Sequence, residues 1–146
     1  MMAQNLTTVA EPPRDFPRAA KKPTAPRILV VDDERLVRWS VAETLTARGY
    51  QVVEAADARS AMQEFGAGDT TDLVLLDLRL PDADDLRVLA RMRQKAPATP
   101  VILMTAFATR EIVEEAAALG APVIGKPFDL NDLAANVERA LAGRVY

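Results

Sequence analysis

The sequence contains no cysteine and no histidine. Without cysteine there is no disulfide, no thiol nucleophile and no zinc–thiolate site. Without histidine there is no imidazole base, no imidazole metal ligand and no histidine-based triad. Aromatic residues make up only 5% of the chain. No apolar run approaches the ~20 residues needed to span a membrane, and the start, MMAQNLTTVAEPPR, lacks the continuous apolar stretch of a signal peptide. These absences predict a cytoplasmic protein with no membrane contact. Its chemistry must come from carboxylates, hydroxyls, lysine, arginine or backbone groups.

The 146 residues are about one domain's worth. Charge is unevenly spread along them. Residues 1–26 carry four basic residues (Arg14, Arg18, Lys21, Lys22) and two acidic ones (Glu11, Asp15), with five of the ten prolines. They have no sustained period, which predicts a flexible Pro-rich leader too poor in buriable surface to offset the entropy of ordering. Of the 18 basic and 21 acidic residues, 14 and 19 then fall in residues 27–146, so that segment carries −5 against +2 for the leader.

From Arg27 onward the pattern alternates. Continuous apolar runs at Ile28–Val31, Leu73–Leu76 and Pro100–Met104 read as strands buried on both faces. Tyr50–Glu54 and Val123–Ile124 read as two further strands. Between them lie helical patterns over 35–48, 58–65, 85–96, 109–119 and from Asp129 or Asn131 to about 142. Asp57 is a candidate cap for the second, and Gly49, Gly66 with Gly68, and Gly120 are candidate stops. Five strand–helix units in this length predict an α/β fold, a parallel sheet with helices on both faces, too short for an eight-fold barrel.

In such a sheet, ligands bind beyond the carboxyl ends of the strands. Asp32, Asp33 and Glu34 follow the first strand, Asp77 the third, Thr105 and Ala106 the fourth, and Lys126 the fifth. An aspartate ending a strand often does no more than cap the next turn. That ordinary role does not explain all of these groups on one rim in this order. Clustered carboxylates repel and call for a cation. An oxygen-only ligand set suits Mg2+, with Mn2+ as the alternative ion. An aspartate can also be the nucleophile toward a phosphoryl group, whose oxygens an ammonium, a hydroxyl and backbone N–H groups would neutralise.

On four motifs the chain resembles the receiver domain of two-component response regulators. They are Ile28–Glu34 (ILVVDDE), Leu75–Pro81 (LLDLRLP), Met104-Thr105-Ala106 and Lys126-Pro127-Phe128. The resemblance covers about 27–143 and implies a doubly wound (βα)5 flavodoxin-like three-layer sandwich with strand order 2-1-3-4-5. It implies Asp77 as phosphoacceptor, Asp33 as direct carboxylate ligand of Mg2+, Asp32 as its neighbour orienting metal-bound water, and the backbone carbonyl of Arg79 as a further ligand. Thr105 and Ala106 would bind the phosphoryl group and carry the switch, and Lys126 would pair with the phosphate across a cis Lys126–Pro127 bond. Arg79 and Phe107 would tune hydrolysis, with Phe107 shielding the aspartyl phosphate from water. The phosphodonor histidine would sit on a histidine kinase or histidine phosphotransfer protein, which accounts for its absence here. Since only Arg144 to Tyr146 trail the last helix, a stand-alone receiver over 27–146 is expected. Its output would pass to a downstream protein target or onward by phosphotransfer. The acidic domain argues against direct nucleic-acid binding, which wants a basic patch. The family's usual dimer surface allows a phosphorylation-dependent homodimer.

The chain departs from the family at several positions. Val123 stands where the family carries the switch Tyr or Phe, and the segment from Gly120 to Lys126 is one residue short and contains Pro122. A phosphorylation-independent pseudo-receiver is therefore the alternative reading. Asp85 replaces the usual glycine after Asp77. With Asp82 and Asp84 it is read as an N-cap cluster for the third helix, in preference to a second cation site. Trp39 lies off the Val37–Val41–Leu45 stripe, toward the rim or outside, and is weighed as packing on a neighbouring helix before a partner-docking anchor. A metal-dependent phosphatase is disfavoured because Arg79, not a carboxylate, stands two residues after Asp77. A dinucleotide enzyme is disfavoured because no G-x-G-x-x-G follows the first strand.

Overall fold

The structure is a computed structural model that describes residues 25–66 and 70–143. The expected leader over 1–26 therefore falls almost wholly outside the described residues, as do Gly68 and Arg144 to Tyr146.

The chain alternates strand and helix. The elements are β1 (Arg27–Val31), α1 (Arg35–Ala47), β2 (Gln51–Ala55), α2 (Ala58–Phe65), β3 (Leu73–Asp77), α3 (Arg87–Lys95), β4 (Val101–Thr105), α4 (Arg110–Ala118), β5 (Val123–Gly125) and α5 (Leu130–Ala142). The five strands form one parallel sheet in the order β2-β1-β3-β4-β5. The expected α/β class, sandwich and strand order are thus all present.

Alternation along each central strand divides the core into two layers. Leu29, Val31, Val74, Leu76, Val101 and Leu103 point to one face, where Ala61 of α2, Leu89 and Met92 of α3 and Ala116 of α4 cover them. Ile28, Val30, Leu73, Leu75, Ile102 and Met104 point to the other, beneath Val41 and Leu45 of α1 and Leu133 and Val137 of α5. β3 and β4 are buried at every residue, because helices cover both faces of the middle of the sheet. Each such Leu or Val side chain contributes ~1.5–3 kcal/mol by leaving water. β2, on the edge, is buried only at Ala55.

Local chemistry sets the ends. Gly49 (φ 95°) and Gly120 (φ 74°) close α1 and α4 in the left-handed region, where residues with a Cβ are strained. Asp57 caps α2 by accepting from Ser60 N at 2.8 Å. Asp129, not Asn131, caps α5, accepting from the N–H groups of Asn131 and Asp132.

α3 corrects one expectation. It starts at Arg87, two residues later than expected, and its N-cap Leu86 has no side-chain cap. The aspartates before it divide their work. Asp85 accepts from Arg87 N and pairs with the Arg87 guanidinium. Asp82 reaches instead to α2, taking the N–H groups of Ala58 and Arg59 at 2.7 and 3.0 Å. Those donors are the unsatisfied end of another helix, 24 residues away, so Asp82 ties the β3–α3 loop to the start of α2.

Candidate functional site

Four strands end on one rim, and each brings a polar group to it. Asp32 follows β1, Asp77 is the last residue of β3, Thr105 the last of β4, and Lys126 follows β5. Register places these ends side by side, since Asp77 pairs with Met104 and Thr105 with Gly125. Hydrophobic strand interiors thus deliver polar side chains to one point, at or just past the strand ends.

Asp32 is fully buried, Asp77 is 5% exposed and Thr105 1% exposed. Carboxylate oxygens of Asp32, Asp33 and Asp77 all lie within 4.8 Å of one another. Asp33 is the exposed member of the three. The Lys126 ammonium sits among them, 2.7 Å from Asp32 Oδ2, 3.2 Å from Asp77 Oδ2 and 2.9 Å from Glu34 Oε1. The contact with Asp32 is an ion pair without hydrogen-bond alignment, so the buried Oδ2 receives no hydrogen bond. Asp32 Oδ1 accepts from Glu34 N at 2.9 Å, and Asp77 Oδ1 from Arg79 N at 3.2 Å.

One ammonium against four carboxylates leaves the rim short of positive charge. Burial, then the Asp32 charge, push the Asp77 carboxyl up to about 6, against a smaller pull from Lys126. Burial works against the charge of Lys126, but Asp32, Glu34 and Asp77 together outweigh it and hold the ammonium above its ordinary range. The donor set is all oxygen, partly buried, and includes an Asp32 oxygen with no hydrogen bond. These residues fit a hard divalent cation such as Mg2+.

Thr105 Oγ1 accepts from Phe107 N at 3.0 Å. Ala106, between them, is exposed. Phe107 is 55% exposed, and the Arg79 guanidinium lies over its ring, 4.5 Å from the centroid. The two residues singled out for hydrolysis tuning therefore touch. The Lys126–Pro127 bond is cis. Val123 is half-buried and packs on the core formed with α2, α3 and α4.

Two contributors were missed in the sequence. Glu34, noted only as a third acid, holds Lys126 from the solvent side. Arg38 donates to the Asp32 carbonyl at 2.7 Å and to Glu54 Oε1 at 3.0 Å, bracing the β1–α1 turn from α1. Its one sequence cue, a cation four residues after Glu34, is ordinary helical spacing. Glu54 becomes its partner only through the pairing of β1 with β2. Trp39 is 56% exposed, as its place off the apolar stripe suggests, and Leu36 beside it is 72% exposed.

Comparison with known proteins gives a consistent result. The family model described as response regulator receiver domain matches residues 28–138. The chain is 42% identical over 116 residues to regulatory protein AtoC of Escherichia coli, covering 79% of this chain but 25% of AtoC, so it spans a quarter of that relative. It is 34% identical to sporulation initiation phosphotransferase F of Bacillus subtilis, covering 79% of this chain and 93% of that protein. Among solved structures, a CheY-like response regulator receiver domain protein from Methanospirillum hungatei superposes with a TM-score of 0.77 at 28% identity. That match covers 82% of this chain and 95% of the other.

Proposed function

Because the chain belongs to the response regulator receiver domain family, we propose that it accepts a phosphoryl group on Asp77 and signals by changing a protein-binding surface. The observation that carries this reading is the clustering of the Asp32, Asp33 and Asp77 carboxylates within 4.8 Å, with Lys126 3.2 Å from Asp77. The receiver unit is proposed to span 27–146.

In this reading an Asp77 carboxylate oxygen attacks the phosphorus of a phosphohistidine on a histidine kinase or phosphotransfer protein. The P–N bond breaks as the P–O bond forms, and the electron pair leaves with the imidazole. Asp33 and Asp77, with Asp32 behind them and the Arg79 carbonyl alongside, would hold Mg2+, which supplies positive charge to the transferring phosphoryl oxygens. Lys126 pairs with one of those oxygens, exchanging its contact with Asp77 Oδ2 for one with phosphate. Thr105 turns its hydroxyl from Phe107 N toward the phosphoryl group, with the backbone at Ala106 beside it. Phe107, held by Arg79, covers the approach of water.

The docking surface for the donor is supported by a groove of about 530 Å3 beside the rim, lined by Leu36, Val37, Pro127 and Phe128. Leu36 is exposed there, and exposed Trp39 lies three residues further along α1. The proposed output is a downstream protein or a second copy of the chain. No described helix is long and apolar enough to cross a membrane, and the cytoplasm, where phosphodonors are made from ATP, is the proposed compartment.

Val123 favours one second reading, an interaction module that works without phosphate. With no aromatic there, the inward movement that usually accompanies the Thr105 shift has no side chain to make it. Phosphotransfer from a panel of histidine kinases in Mg2+, with Asp77→Ala as control, tests the first reading. Label that persists on the variant would overturn the acceptor assignment. Absence of label with every kinase and with acetyl phosphate would favour the second reading.

A further inference from the structure

A second concave surface lies on the α2–α3 side of the sheet, between the two helices. It is a groove of about 820 Å3, within the range of pockets that hold small molecules. Its mouth begins at the β3–α3 loop and it runs toward the C-terminal end of α3. Met62 of α2, Val88 of α3 and Leu80 and Pro81 of the loop give it an apolar floor. Its walls are cationic. Arg59 stands on the α2 wall, and Arg91 and Lys95 on the α3 wall.

These cations are not accounted for inside the protein. Arg87, one turn before Arg91, is committed to Asp85, and the lining carboxylate of Asp82 is committed to the start of α2. Among the described residues, Arg59, Arg91 and Lys95 form no ion pair and no side-chain hydrogen bond. The nearby acids are Asp84, in the lining, and Asp57, which Ser60 holds. A helix dipole favours Lys95, in the last turn of α3, but disfavours Arg59, in the first turn of α2. Arg87, Arg91 and Lys95 also recur at four-residue spacing, which stacks like charges on one stripe. Arg59, Arg91 and Lys95 are exposed, with Arg59 within electrostatic reach of Asp57, and they line one groove from two sides in a segment whose net charge is −5.

We propose that this groove binds a phosphate-bearing small molecule of nucleotide size. Arg59, Arg91 and Lys95 hold its phosphates, and its flat apolar part lies on Met62 and Pro81, with buried Leu80 beneath. Arginine forks match phosphate oxygens in pairs, and lysine adds a point charge. A groove with cations on both walls suits a compact ligand better than an extended acidic peptide, which would favour cations in line on one face. The site is separate from the carboxylate rim and does not depend on phosphorylation of Asp77. It does share the β3–α3 loop with it, since Leu80 and Pro81 follow Asp77 by three and four residues.

The test is a titration of the full chain with ATP and GTP, followed by amide chemical shifts and by calorimetry, in EDTA so that no metal bridges phosphates to the carboxylate rim. Tripolyphosphate, adenosine and a poly-glutamate peptide are run in parallel. The expected result is saturable binding of a nucleoside triphosphate at sub-millimolar concentration, with shifts at Arg59, Met62, Arg91 and Lys95 and weakening by salt. Arg91→Glu with Lys95→Glu should weaken it by at least about tenfold, while Arg139→Glu on α5, on the opposite side of the sheet, should not. Should the double variant fold poorly, Arg91→Gln and the shift map of the parent protein carry the same comparison. Absence of saturable binding by both triphosphates, shifts centred on Asp77, or indifference to the charge reversals would each overturn the site. Equal binding of tripolyphosphate would remove the role given to the apolar floor. Tighter binding of poly-glutamate would replace the small ligand with an acidic protein segment.

Discussion

Asp77→Asn is expected to stabilise the metal-free protein while abolishing its proposed acceptor. The Asp77 carboxyl is held at about 6 in the folded state, against 3.8 for an ordinary aspartate, chiefly by burial and by the Asp32 charge. The folded protein therefore binds this proton more tightly than the unfolded chain does. Stability contributed by the group is complete below pH 3.8 and is lost as pH rises through 6. Two units at 1.36 kcal/mol each amount to a penalty of about 3 kcal/mol at neutral pH, and with Asp77 only 5% exposed, water screens little of it. An asparagine has nearly the same shape and carries no charge. A gain of about 1–3 kcal/mol follows, worth ~4 °C in Tm per kcal/mol for a domain of this size. Urea denaturation of parent and variant in EDTA at about pH 7.5 and about pH 4 measures it. The gap should be present at the higher pH, nearly gone at the lower, and reduced at neutral pH by Mg2+, which stabilises the parent selectively. A variant no more stable than the parent at neutral pH would refute the electrostatic account. So would a gap of the same size at both pH values.

Three other outcomes follow from the same geometry. Lys126→Met leaves the buried carboxylates of Asp32 and Asp77 without their cation, and should lower stability by about 3 kcal/mol without metal, read from the urea midpoint. Phe107→Ala should shorten the life of the proposed aspartyl phosphate, seen as faster phosphate release after loading with acetyl phosphate. An unchanged rate would remove the shielding role. Leu103→Ala empties a fully buried place at the centre of β4, and should cost ~2–5 kcal/mol in chemical denaturation.

Much of this architecture was legible in the chain because burial on both sheet faces writes strands as unbroken apolar runs. Ile28–Val31 and Leu73–Leu76 are too short for helices and long enough for strands. The rim was legible for a related reason. A polar residue directly after such a run has one place to go, so Asp32, Asp77 and Thr105 could be placed together before their distances were known, and Lys126 joins them one glycine past the short run at Val123–Ile124. Contacts that need two distant segments in register were not legible. Asp82 looked like a cap for the helix that follows it, yet its carboxylate serves α2. Arg93 lies among the cations of α3. It donates to the carbonyls of Thr99, Leu119 and Gly120, holding the α3–β4 and α4–β5 connections together. Neither partnership leaves a periodic trace, because each depends on where two loops arrive after the sheet has formed.

The four strand ends that build the rim are spread from Asp32 to Lys126, almost the length of the folded segment. No local portion of the chain contains the site. β5 is three residues long and lies at the sheet edge, yet it carries the lysine, and during synthesis it emerges after the other four strands. A nascent or partly unfolded chain would thus present its aspartates without their cation, repelling one another and poorly placed for phosphoryl transfer. Assembly of the proposed acceptor site is in this way coupled to completion of the fold. A sheet closed over such long sequence separations would leave unfinished molecules outside the proposed phosphotransfer.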